Sequence, residues 1–151
     1  MLQPQHNTKV VKIMLNNEAK LLNDALCIVY PQRQASLIVC HDMANLLAQR
    51  EGLSVRRRQI VSAAAILHIT YGQMGMEMAR LLEESSFVPS FRRAILELVY
   101  TLAEPKEPKE TQILHDALLL TECILYPTQV RMLKEQIISK TAQKLLARYY
   151  E

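Results

Sequence analysis

Three consecutive alanines, Ala63, Ala64 and Ala65, stand between Val61-Ser62 and Ile66-Leu67, and the run ends on His68. Side chains this small let neighbouring backbones approach closely, so the segment predicts a helix at the centre of a bundle with one imidazole at its end. Beyond it the chain reads Ile69-Thr70-Tyr71-Gly72, and Gly72 with Gly75 predicts a turn there. A polar ring closing an apolar helix is the feature that any functional reading has to explain.

The flanking segments share the helical period. Val11, Met14, Leu21, Leu22, Ala25, Leu26 and Val29 predict a first helix over 8–29, closed by Tyr30-Pro31. Leu37, Ile38, Cys40, Ala44, Leu47 and Ala48 predict a second over 32–50, with Gly52 as its left-handed stop. Ser54 is the expected cap of the central helix. A shorter helix runs from Met76 to Ser85-Ser86, and Pro89 suits the first turn of the next. The run 103–110, with two prolines and alternating charge, reads as a solvated loop. Thr111 is expected to cap the following helix, which Tyr126-Pro127 stops, and a single last helix is expected over 128–149.

With three glycines and no tryptophan, a turn-rich sheet protein is disfavoured, and 151 residues suffice for one domain with a real core. The expectation is an all-α single-domain bundle of about seven helices spanning 1–151. A net charge of +3 is too weak for a dedicated nucleic-acid binder, and none is expected. Cys27, Cys40 and Cys123 are odd in number and widely spaced, which reads as buried thiols in a reducing compartment. No run approaches the roughly 20 apolar residues of a membrane span, so a cytoplasmic protein with no membrane role is expected.

The candidate chemistry lies in His41-Asp42, in His68 and in His115-Asp116. A metal centre in an all-helical protein takes imidazoles and carboxylates from several helices, because each can direct only one or two ligands at a point. Arg56, Arg57 and Arg58 open the central helix, where three cations oppose the helix dipole. They are a candidate anion site.

The runs Ala35-Ser36-Leu37-Ile38-Val39, Gly52-Leu53, Ala63-Ala64-Ala65-Ile66-Leu67-His68 and Gln112-Ile113-Leu114-His115-Asp116-Ala117 resemble, in order and interval, the HD-domain superfamily of metal-dependent phosphohydrolases. The resemblance covers 32–120 and implies an HD-like bundle. It places the family's first histidine near Ala35, its His-Asp dyad on His68-Ile69 and its last aspartate on Asp116. His68 and Asp116 then form a vestigial metal pair, and Ile69 replaces the acid that would hold the metal and position the attacking water. The resemblance so implies a degenerate, non-catalytic domain with a regulatory or protein-interaction role, a protein partner or self-association, and no cofactor. The alternatives are an active phosphohydrolase on a nucleotide or cyclic dinucleotide, using manganese, iron or magnesium with substitute ligands from His41, Asp42 or His115, and an unrelated helical adaptor.

Overall fold

The computed structural model describes residues 17–74, 77–100 and 109–150, with the side chains of 71–79 outside that description. Among the described residues every regular element is helical: α1 over 17–28, α2 Pro31–Arg50, α3 Val55–Met74, α4 Glu77–Glu84, α5 Pro89–Tyr100, α6 Lys109–Leu125, α7 Val130–Leu133 and α8 Lys140–Tyr149. Short 3₁₀ turns at Pro127–Gln129 and Lys134–Gln136 flank α7.

Local signals set most of these boundaries. Pro31 opens α2, where its missing N–H costs nothing and its φ is already helical. At the other end Gly52 takes φ +74°, and the Leu53 N–H reaches Ala48 O at 3.0 Å while the Gly52 N–H reaches Gln49 O at 3.1 Å. This is a Schellman stop, which needs a residue tolerant of the left-handed region. Ser54 Oγ then accepts the Arg57 N–H at 3.3 Å and starts α3.

Helix α3 forms the centre, packed against α2, α5 and α6. From Val61 to Leu67 its side chains are buried, Ala63, Ala64 and Ala65 completely. Leu37, Cys40, Ala44 and Leu47 of α2 and Ile113, Leu114, Ala117 and Leu120 of α6 fill the rest of this core. Two ion pairs fix how the three helices run. Glu51, just past α2, meets Lys109 at 3.1 Å, and Arg57 in the first turn of α3 pairs with Glu110 in the first turn of α6. Helices α3 and α6 therefore run in the same direction and α2 runs against both. The start of α2 is brought to the far ends of α3 and α6.

Four expectations need correction. The central helix does not turn after His68: it continues through Gly72 to Met74, and the Thr70 hydroxyl donates to Leu67 O at 2.9 Å instead of breaking the helix. Thr111 does not cap α6. That helix begins at Lys109, and Thr111 is buried inside it. The single last helix over 128–149 is broken, because Ile137 is extended (φ −71°, ψ 125°) and buried, and Ser139 caps a new helix by accepting the Ala142 N–H at 3.1 Å. Cys27 is exposed, whereas Cys40 and Cys123 are buried and free. The expected start of the first helix and most of the 103–110 loop lie outside the described residues. No helix among the described residues is long and apolar enough to cross a membrane.

Candidate functional site

Where the end of α3 meets the start of α2 and the later turns of α6, a cavity of about 330 Å³ opens. Its apolar wall is Ile69, Leu118 and Leu119, and its polar groups are Arg33, His68, Thr121 and Glu122. The antiparallel placement of α2 creates it, since Arg33 can meet His68 only if the two helices run in opposite directions. The His68 Nδ1 is buried with no hydrogen-bond partner among the described residues. Burial, and then the positive charge of Arg33, hold the His68 pKa below its ordinary 6.5, so the ring is neutral near pH 7. The Thr121 hydroxyl donates to Ala117 O at 2.7 Å and is hydrogen-bonded to the Cys40 thiol. Behind the wall, burial pushes the Cys40 thiol up to about 12, so this cysteine is not a nucleophile.

Asp116 is completely buried, yet it does not line this cavity. One carboxylate oxygen accepts the Ile138 N–H and the other the Ser139 N–H, each at 2.8 Å. His115 Nδ1 also lies 3.3 Å from Oδ1. The carboxylate thus fixes the chain entering α8 by capturing two backbone donors outside the helix, a charge-assisted arrangement suited to a buried acid. The α6 residues that do face the His68 cavity come later: Leu118, Leu119, Thr121 and Glu122.

His41 belongs to a different cluster. Its Nε2 lies 3.3 Å from Glu18 Oε1 and its Nδ1 lies 3.6 Å from Asp42 Oδ1. The amide of Gln59 donates to Glu18 Oε2 at 3.2 Å, so one buried carboxylate ties α1 to both α2 and α3. Burial alone would lower the His41 pKa, but Glu18 and then Asp42 outweigh it and raise it above 6.5. Of the arginines that open α3, Arg56 sits 5.5 Å over the Phe91 ring, Arg57 pairs with Glu110, and Arg58 buries an unpartnered Nε. Two of the three cations proposed for an anion are thereby engaged within the fold.

The donors present do not fit a resident dication. Among the described residues no group of three or more His, Cys, Asp or Glu converges to hold one. In the His68 cavity the imidazole has only the exposed Glu122 as an acidic neighbour, while Ile69 supplies hydrocarbon. His41 and Asp42 are occupied with Glu18 and each other, and His115 with Asp116.

Sequence reasoning had not singled out Glu18, Gln59, Arg33 or Glu122. A signal existed for Glu18, which falls on the buried stripe Leu21, Ala25, Val29 of α1, where a carboxylate requires a partner. Arg33 and Glu122 carry none, because both are exposed charges on their own helices. No protein-family model matches this chain, and neither a curated protein nor a solved structure matches it.

Proposed function

We propose that the chain is a non-catalytic domain of the HD type, kept for a regulatory or protein-interaction role in the cytoplasm, with the cavity around His68 serving as a small-ligand site in place of a metal centre. The observation that carries this reading is the division of labour on α6: Asp116 gives both oxygens to the start of α8, and the side chains turned toward His68 are leucines, a threonine and an exposed glutamate. A neutral imidazole, one arginine and an apolar wall suit a small, partly apolar molecule with a hydrogen-bonding or anionic end better than a metal-bound phosphate. The protein-contact part of the reading draws on Tyr126, Met132 and Tyr149, large apolar side chains left exposed around α7 and the end of α8.

The test is elemental analysis of the full chain purified without chelator, together with phosphodiester hydrolysis in excess manganese. The expected outcome is no stoichiometric metal and no turnover. Metal at one or two equivalents, together with turnover lost in His68→Ala, would overturn the reading in favour of the hydrolase.

A further inference from the structure

The cations of this chain are not spent evenly. Lys20 pairs with Asp24, Arg57 with Glu110, Arg80 with Glu84 and Lys109 with Glu51. Arg50, Lys144 and Arg148 have no carboxylate partner among the described residues, and they converge on one groove of about 500 Å³ between the end of α2 and the outer face of α8. Thr141 and Ala147 complete its lining, so no acidic side chain faces it. The nearest acid by sequence, Glu51, is already engaged with Lys109.

The α8 sequence, KTAQKLLARY, adds a second observation. It has no acidic residue, and Lys140, Lys144 and Arg148 recur every fourth position, which stacks three like charges along one side of the helix. Like charges at that spacing oppose helix formation, and Lys140 in the first turn also opposes the helix dipole. An anion in the groove would offset the first of these at Lys144 and Arg148, the two members of the row that line it. Lys144 and Arg148, the members of the row that line the groove, are about 6 Å apart at the helical rise, which is short for a nucleic-acid backbone. The groove also offers no aromatic or large apolar side chain against which a base could stack.

We propose that this groove binds a small, multiply charged phosphate compound, of the size and charge of pyrophosphate or a sugar bisphosphate. It lies near the opposite end of α2 from Arg33, about 25 Å away along the helix, and so is separate from the His68 cavity.

Calorimetric titration of the full chain with inorganic pyrophosphate at low salt tests this. Binding is expected, weakened about tenfold by Lys144→Gln and by Arg148→Gln, each of which removes one charge-assisted contact. Arg93→Gln, which removes an equal charge on α5, away from the groove, should leave the affinity within about twofold. All three positions are exposed, and far-ultraviolet circular dichroism of each variant verifies that the helices persist. No measurable binding of pyrophosphate would overturn the proposal. Equal weakening by Arg93→Gln would overturn it too, by reducing the effect to net charge. A single-stranded oligonucleotide that binds more tightly than pyrophosphate, and loses that binding in Lys144→Gln, would assign the groove to nucleic acid instead.

Discussion

At the two ends of the α2–α3–α6 core, the charges that lie between these three helices are handled in opposite ways. Where α2 finishes and α3 and α6 begin, Glu51 is paired with Lys109 and Arg57 with Glu110, and toward the middle Glu18 joins His41 and Gln59. At the far end Arg33, His68 and Glu122 share a cavity with no ion pair among them. Burial is similar for the two histidines, which are both half-buried, so desolvation pushes both in the same direction. What differs is the charge beside each ring. A histidine next to a buried carboxylate fastens helices together. One next to an arginine, in a cavity, stays neutral.

The largest expected disruption of that contrast is Glu18→Ala. It removes the acid that three helices share and leaves the Gln59 amide and the His41 ring buried without it. Losing a buried, charge-assisted network of this kind should cost about 3 kcal/mol in urea unfolding. A loss below about 0.5 kcal/mol, the range of an ordinary surface change, would show that the cluster holds nothing together. Next comes Glu110→Gln, which breaks the pair with Arg57. Glu110 is largely covered but Arg57 is half exposed, so solvent screening limits the expected cost to about 1 kcal/mol.

The histidines supply a sharper test because their signs oppose. The folded pKa of His41 is raised, so its contribution to stability is complete below the unfolded value of 6.5 and fades as pH rises through the folded value. For His68 the folded pKa is lowered: its contribution is complete above 6.5 and is lost as pH falls through the folded value. Unfolding measured at about pH 5 and about pH 8 should therefore show the gap between wild type and His41→Gln shrinking as pH rises. The gap for His68→Gln should widen. Parallel trends in the two variants would mean that the neighbouring charges do not distinguish the rings.

The part of this contrast that could be read from the sequence follows from how local its causes are. Ala63 to Leu67 announce the core through an unbroken apolar run, and Pro31, Gly52, Ser54 and Pro89 mark boundaries because each acts on backbone within one helical turn of itself. The break before α8 was not legible. It depends on Asp116 capturing N–H groups 22 and 23 residues further on, and no window along the chain contains both partners. The same holds for the cavity. His68 stood out as a polar ring on an apolar helix, but Arg33 and Glu122 become its neighbours only through the antiparallel course of α2. The arginines at the start of α3 looked like one cluster, and the fold sends their side chains to different partners.

The smallest expected effect, and the most discriminating, is that of Arg33→Gln. Arg33 is exposed and has no ion pair among the described residues, so stability should change by less than about 0.5 kcal/mol. The His68 titration, followed by NMR of the ring protons, should nevertheless move upward, because a positive charge that disfavours the imidazolium has gone. It should stop short of 6.5, since burial is the larger of the two causes and the substitution leaves it in place. Added salt should produce a similar, smaller rise in the wild type by screening the same charge, and almost none in the variant. Arrival at 6.5 in Arg33→Gln would mean that the guanidinium, not burial, sets the protonation of the ring. No movement at all would place Arg33 outside the reach of His68, and with it would go the idea that the open end of the core presents a cation and a neutral imidazole to one ligand.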